Sequence, residues 1–353
     1  MQIALPALPT LSDLPSPSLP QAATVDQLLT ATPMLREAQA MQQAAAQHGA
    51  VLRAGTNEFT GQAQVQQRRI ESLPDSGHYN EWQLLINRQL RLPSQAQADG
   101  RMADALQISA QAALVATRQR FLGEMLTAWF AAQRAQAEAV LAQQDLDLIN
   151  AQVKALQRRQ SLGDASVLEL EQMQAEQARS QAALQLSQGM AASSRAALFT
   201  RYPLLAGNGG LQGQADASAL TLPSLSAEQL GAQAAQANPL LAEQRAALQK
   251  AQAMAAQAQA ARTPQPTVGA YIGSDRGGSE RIIGLQFAMP FGGAARVSQE
   301  RAALAEVDAA QWRLRDLQAQ TEAEFQRLYV NAQAQLGAVK ASEQAAQVQT
   351  QAS

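Results

Sequence analysis

Residues 81–92 read Glu81-Trp82-Gln83-Leu84-Leu85-Ile86-Asn87-Arg88-Gln89-Leu90-Arg91-Leu92. The even positions are apolar except for Arg88, and the odd positions are polar except for Leu85. Side chains alternate across a strand, so this spacing predicts a β-strand with one apolar face, broken once at Arg88. The preceding stretch, Asn57 to Glu71, alternates as well but is far more polar, and Pro74-Asp75-Ser76-Gly77 between them forms turns. A hairpin over 57–92 is therefore expected. Trp82 and Tyr79, at the head of its second strand, suit either a membrane interface or plain packing. A second hairpin is expected over 267–291. Thr267 to Ser274 and Arg281 to Phe291 flank Asp275-Arg276-Gly277-Gly278, and Ile283, Leu285, Phe287 and Met289 fall on one face against Gly284, Gln286 and Ala288.

The rest of the chain is helical in pattern. From Ser94 to Tyr202 there is no proline, and only Gly100, Gly123, Gly163 and Gly189 interrupt a run rich in Ala, Gln, Leu, Glu and Arg. At about 1.5 Å per residue, a continuous helix over 94–162 would be on the order of 100 Å long. Leu122, Leu126 and Trp129, then Ile149, Val153 and Leu156, recur at the spacing of a helix packed along its length. Gly163 allows a left-handed helix end, and Asp164 or Ser166 can cap the next helix, so a helical hairpin with its tip at Gly163 is expected. Its return helix, from about Ser166 to Leu198, carries Leu170, Met173 and Leu184.

Composition agrees with this reading. Among 353 residues there are 76 alanines and 54 glutamines but only 4% aromatics, a mixture that favours closely packed helices over a thick globular core. With 27 basic and 29 acidic residues the net charge is -2, which argues against nucleic acid as a partner. The absence of cysteine removes disulfides, thiolate metal sites, cysteine nucleophiles and lipidated cysteine.

The chain also repeats itself. Thr24-Val25-Asp26-Gln27-Leu28 followed by Pro33-Met34-Leu35-Arg36-Glu37 recurs as Ser226-Ala227-Glu228-Gln229-Leu230 followed by Pro239-Leu240-Leu241-Ala242-Glu243. Each copy leads through an Ala/Gln helix into a hairpin and a long proline-free helix. The resulting organisation is a Pro-rich extension (1–23), a first repeat (24–202), a linker (203–225) and a second repeat (226–353) that reads as truncated. From the repeat offset, about 60 to 70 further residues with a second Leu-Gly tip are expected. The extension lacks the basic and apolar regions of a signal peptide, so the sequence reads either as cytosolic or as beginning after a removed export signal.

Two hairpins with one apolar face each and about ten residues per strand have the length and alternation of outer-membrane strands. Open strand edges are not tolerated in lipid, so several chains must pool their strands, and three copies would close a 12-stranded barrel. The order of helix, strand hairpin, long helical hairpin and repeat, with Arg158 to Leu168 at the tip, resembles the TolC family of outer-membrane efflux proteins. Pro266-Thr267-Val268-Gly269 and Met289-Pro290-Phe291 are similar to the branch serving heavy-metal efflux of the cobalt-zinc-cadmium resistance type.

This resemblance implies a mainly α fold with β, in which long helical hairpins form an α-barrel in the periplasm and four strands per chain enter a shared transmembrane β-barrel. It further implies a passive homotrimeric exit duct for metal ions or small toxic compounds, in contact with outer-membrane lipid. Its implied partners are a periplasmic adaptor (membrane fusion) protein and an inner-membrane pump of the RND type. Arg158, Arg159, Leu162, Gly163, Asp164, Ser166 and Leu168 are the expected docking tip, and Trp82, Leu84, Ile86, Leu90, Ile283, Leu285, Phe287 and Met289 the expected membrane-facing side chains.

No catalytic constellation competes with this expectation, and neither a cofactor nor a resident metal is implied. His48 and His78 are isolated, one in a helix and one in a hairpin turn. Asp145 and Asp147 point to different sides of a helix, and Gly207-Asn208-Gly209-Gly210 lacks the lysine of a phosphate loop. Two alternatives stay open: soluble hairpins packed back on the helices, and a periplasmic adaptor or coiled-coil scaffold bridging envelope components.

Overall fold

The structure, a computed structural model, describes residues 19–71, 74, 76–207, 211 and 226–352. The element order is α1 (Ala22–Ala31), α2 (Pro33–Ala54), β1 (Phe59–Ile70), β2 (Gly77–Gln89), α3 (Pro93–Ser161), α4 (Val167–Arg201), α5 (Ala227–Ala237), α6 (Pro239–Ala260), β3 (Thr267–Asp275), β4 (Glu280–Ala288) and α7 (Ala294–Ala352). The order α1-α2-β1-β2-α3 returns as α5-α6-β3-β4-α7, so the duplication is present in the fold. Most of the 1–23 extension and of the 203–225 linker, including the Asn208-Gly209-Gly210 run and Asp75 of the first turn, lies outside the described residues.

Proline sets several helix starts. Pro33, Pro93 and Pro239 each open a helix, where the missing N–H would have had no intrahelical partner. The Asn238 side chain accepts from the Leu240 N–H at 2.9 Å and closes the α6 start. Ser226 and Gln229 form a reciprocal capping box at α5, with both bonds at 3.2 Å.

The four strands form one antiparallel sheet in the order β1-β2-β3-β4. Its strands end earlier than the alternation suggested. β2 stops at Gln89 and β4 at Ala288, so Leu90 and Met289 lie just past the ladder. The helix opening at Pro93 ends the first run, and Pro290 with Gly292-Gly293 ends the second. His78 sits in β2 opposite Arg69 rather than in the turn. Tyr79 and Trp82 are of opposite parity in β2 and so do not share a face.

Among the described residues the chain divides into two compact units, one from 37–116 and 226–334, the other from 19–36, 117–211 and 335–352. In the first, a polar network holds the ends of the helices beneath the sheet. Arg91 donates to the α2 carbonyls of Leu52 (2.7 Å) and Arg53 (2.9 Å) and forms an ion pair with Asp99 at 2.6 Å. Asp99 in turn accepts from Gln257 of α6 at 2.7 Å. The buried Gln95 donates to the carbonyls of Ala260 (3.3 Å) and Thr263 (2.8 Å), and accepts from Gln265, which itself accepts from Asn57 at 2.6 Å. Arg296, at the start of α7, donates to the Ala261 carbonyl. Arg91 and Arg296 each close the C-terminal end of the helix that precedes their hairpin.

The second unit holds the largest buried apolar cluster among the described residues. Val25, Leu28, Phe121, Met125, Trp129, Leu198, Tyr202 and Leu205 are buried together, with Phe121 edge-on to Tyr202 at a ring separation of 5.5 Å. Farther along α3 and α4 the packing thins to Ala135, Ala139 and Ala191, as an alanine-rich seam should. Among the described residues the Tyr202 hydroxyl is the one buried side-chain polar atom without a hydrogen-bond partner. Burial raises its pKa above the ordinary 10.0, Arg201 opposing and Glu124 reinforcing the shift. The unfolded phenol thus ionises first, and this residue's contribution to stability declines as pH rises above that value.

Removing the orphaned hydroxyl with Tyr202→Phe should raise chemical stability by about 1 to 2 kcal/mol and abolish that alkaline decline. Met125→Ala, in the same core, should cost about 2 to 5 kcal/mol. Denaturant midpoints at pH 8 and above pH 10 check both.

Candidate membrane face and helical tip

Cross-strand register sorts the sheet into two chemically distinct faces. Residues directly opposite in an antiparallel pair share a face. One face carries the rows Phe59-Arg88-Val268-Phe287, Gly61-Ile86-Ala270-Leu285, Ala63-Leu84-Ile272-Ile283 and Val65-Trp82-Ser274-Arg281. The other carries Thr60-Asn87-Gly269-Gln286, Gln62-Leu85-Tyr271-Gly284 and Gln64-Gln83-Gly273-Ile282. The apolar face is the exposed one: Ile283 is 84% and Leu285 87% accessible, and Trp82, Leu84, Ile86, Val65 and Phe287 are open as well. A soluble hairpin packed on helices would bury that face. Leu90 and Met289, beyond the strand ends, are exposed too, so every side chain expected on the membrane face is accessible.

The polar face is the crowded one. A Cβ on Gly269 would stand 2.9 Å from the Asn87 Cβ and the Ile86 carbonyl, and one on Gly284 would meet the Tyr271 ring at 2.4–2.6 Å. Tyr271 lies across Gly284, the pairing that lets a sheet curve toward its glycine side. Polar side inward and apolar side outward is the arrangement of a barrel wall around water.

Arg88, the break in the apolar pattern, is accommodated locally. Its guanidinium lies 4.8 Å from the Phe59 ring centre and its Nε donates to the Asn57 carbonyl at 3.0 Å, drawing the charge toward the helix end of the sheet.

Sequence reasoning missed Glu81. It is 2% accessible at the turn end of the polar face, where it pairs with Arg68 at 3.1 Å and accepts from Gln66 at 2.7 Å and from the Arg276 N–H at 3.5 Å. Asp275, 3.9 Å from Arg68, joins the cluster. Arg276 holds φ +46° and opens the β3–β4 turn. Glu81 thus ties β1 and β2 to that turn across 195 residues of sequence, a separation that no local pattern encodes.

The tip is built as the Gly163 reading requires. Gly163 has φ +84°, its N–H donates to the Gln160 carbonyl (3.0 Å) and the Asp164 N–H to that of Arg159 (2.9 Å), the bond pair that closes a helix C-terminus. Ser166, not Asp164, is the cap of α4. Its side chain accepts from the Glu169 N–H at 3.2 Å while Glu169 accepts from the Ser166 N–H at 2.9 Å. Arg159 also donates to the Asp164 carbonyl at 3.1 Å. Arg158, Arg159, Asp164, Val167 and Leu168 are exposed, and Leu162 is 76% accessible. This turn presents three aliphatic side chains and mixed charge to its surroundings.

His48 and His78 are both exposed, and among the described residues no group of three or more His, Asp or Glu could hold a metal ion. Asp145 and Asp147 are exposed on α3, with Asp147 accepting from Gln143 at 3.0 Å. Among the described residues no helix is long and apolar enough to cross a membrane.

No family model and no curated protein matches the chain. Solved structures do. The chain is similar to VceC, an outer membrane protein of Vibrio cholerae, with a TM-score of 0.71 at 21% identity over 93% of this chain and 82% of that one. It is similar to the outer-membrane channel OprN (0.71, 19% identity, 91% and 76% covered) and to CusC, whose structures concern folding and transmembrane channel formation (0.62, 19%, 91% and 76%). At these identities the likeness is one of fold. The fold is the expected TolC-like one, mainly helical with a four-stranded antiparallel sheet.

Nothing lies within 4 Å of a Cβ built on Gly163, so Gly163→Ala should exert its effect through backbone strain alone, about 1 to 2 kcal/mol. Ser166→Ala should cost about 1 kcal/mol through loss of the cap. Each should speed amide exchange around residues 160–170 at least about fivefold while leaving exchange elsewhere in α3 and α4 unchanged.

Proposed function

We propose that this chain is one subunit of a homotrimeric outer-membrane channel, the passive exit duct of a tripartite efflux pump. The observation that carries this reading is the sheet: its apolar face is exposed, its polar face is the crowded one, and among the described residues β1 and β4 each have an unpaired edge. Such a sheet is unsatisfied as a monomer in either solvent. Three copies, each giving one hairpin from repeat 24–202 and one from repeat 226–353, would join β4 of one chain to β1 of the next and close twelve strands. The membrane-facing side chains would then be Trp82, Leu84, Ile86, Leu90, Ile283, Leu285, Phe287 and Met289. Gln62, Gln64, Gln83, Asn87 and Gln286 would line the water-filled interior.

In the same reading the helical hairpins stand in the periplasm. The tip formed by Arg158, Arg159, Leu162, Gly163, Asp164, Ser166 and Leu168 docks a periplasmic adaptor that couples to an inner-membrane pump of the RND type. Conduction breaks no bond, so the subunit is not an enzyme and needs no cofactor. The likeness of Pro266–Gly269 and Met289–Phe291 to the heavy-metal branch favours metal ions, or failing them small toxic compounds, as the exported material. A periplasmic adaptor is the less favoured alternative: the duplicated hairpins and the open apolar sheet have no use in a protein that stays in water.

On unheated gels the detergent-extracted protein should run as a trimer and collapse to the monomer on boiling. A monomer that is soluble without detergent would overturn the proposal. Leu285→Arg, on the exposed face, should weaken membrane insertion by about 2 to 4 kcal/mol, whereas the adjacent Gln286→Arg, on the other face, should be tolerated. Asp164→Arg should abolish co-purification of the adaptor with trimers and conductance intact. Lost trimers would instead assign the tip a structural role.

A further inference from the structure

Toward the turns, the exposed face of the sheet changes chemistry within three rows. Beyond Ala63-Leu84-Ile272-Ile283 comes Val65-Trp82-Ser274-Arg281, then Gln67-Asn80, then Arg69-His78. Apolar side chains thus give way to guanidinium, imidazole and amide groups on the same side of the wall. Charge is sorted between the two sides at this end. The strand carboxylates Glu81, Asp275 and Glu280 lie on the polar face, where Arg68 meets the first two and Arg276 meets Glu280 at 3.5 Å. Arg69 and Arg281 lie on the exposed face, and Arg69 pairs with Glu71, just past β1, at 3.4 Å. Both members of that pair are well exposed, so it is weak in water and open to exchange for a better anion.

Arg69 and Arg281 also occupy the two open edges, one on β1 and the other on β4. Pairing of β4 with β1 of the next copy would bring both to one seam at the turn end of the wall. The helices join the strands at the opposite end, so in the channel reading this end lies in the outer leaflet. We propose that Arg69 and Arg281 bind the phosphate groups of a phosphorylated glycolipid headgroup there. The inference rests on the channel reading. Two guanidinium forks at headgroup depth, on the lipid side of the wall, match fixed phosphate anions in geometry and charge. Trp82, in the row of Arg281, and the apolar row of Leu84 and Ile283 next to it would abut the first acyl carbons. Arg88, at the other end, differs because its guanidinium is already held by Phe59 and the Asn57 carbonyl.

The test is native mass spectrometry of the full-length, detergent-extracted assembly, titrated with bis-phosphorylated lipid A, with lipid A stripped of both phosphates, and with inorganic phosphate. The wild type should prefer the phosphorylated lipid roughly tenfold or more, and R69Q/R281Q should lose that preference while R68Q, on the other face, keeps it. R69K/R281K, which preserves the charge without the fork, should fall between them. Equal binding of both lipids by the wild type, or an unaltered preference in R69Q/R281Q, would overturn the site. Displacement of the lipid by millimolar inorganic phosphate would make free phosphate the ligand and remove the lipid assignment. A wild type that conducts in planar bilayers yet binds both lipids alike sinks this inference alone, whereas one that neither inserts nor conducts sinks the channel reading as well.

Discussion

Saturation of main-chain hydrogen bonds at the two edges of a four-stranded sheet is the constraint on which the other features depend. Each edge strand carries about half of its N–H and C=O groups unpaired, and water can satisfy them only if the sheet stays in water. The exposed face, with Leu84, Ile86, Ile272, Ile283 and Leu285 in contiguous rows, opposes that solution. Burying the face in lipid makes the edges intolerable, and leaving it in water makes the face intolerable. In the channel reading, joining edges between copies resolves both at once, so the proposed oligomer follows from the sheet rather than being an addition to it.

In the same reading, a wall assembled from separate chains needs each four-stranded segment to behave as a unit, and two polar clusters would serve that end. At the turn end Glu81, Arg68 and the Arg276 amide join the first hairpin to the second. At the helix end Arg91, Asp99 and Gln257, with Asn57, Gln265 and Gln95, join the two repeats through hydrogen bonds spanning 158 to 208 residues. Buried amides and an ion pair satisfied in this way cost little once formed and penalise any other arrangement, because a misplaced repeat would strand several of them at once.

The legible part of this fold was local. Alternation around Trp82 to Ile86 gave the strand and its apolar side, Gly163 gave the hinge of the helical hairpin, and the recurring Pro33 and Pro239 segments gave the duplication. The features that escaped the sequence depend on partners far away in the chain. Arg91 reads as the last polar residue of a strand, yet it closes the end of α2. Arg88 reads as a flaw in an apolar face until Phe59, paired opposite it, and the Asn57 carbonyl are in view. Glu81 looks like any surface carboxylate on an alternating strand, because nothing near it in sequence announces Arg68 or the turn at Arg276. Choosing between Asp164 and Ser166 as the α4 cap turned on which side chain Glu169 could answer, and the reciprocal bonds select Ser166.

The interior face has its own logic in the channel reading. Between the rim cluster and the helix end it offers mostly neutral amides, Gln62, Gln64, Gln83, Asn87 and Gln286, with the Tyr271 ring laid over Gly284. Amides hydrogen-bond water and hydrated solutes of either charge but hold none strongly, and conduction demands affinity low enough for release. A ring of unpaired carboxylates in the same place would detain cations. Among the described residues the one buried carboxylate is Glu81, and Arg68 matches it, which leaves the passage without a fixed trap there. Selectivity then has to be imposed before the solute reaches this wall, by whatever loads the duct, so that a single amide-lined exit can serve cargoes of unlike charge.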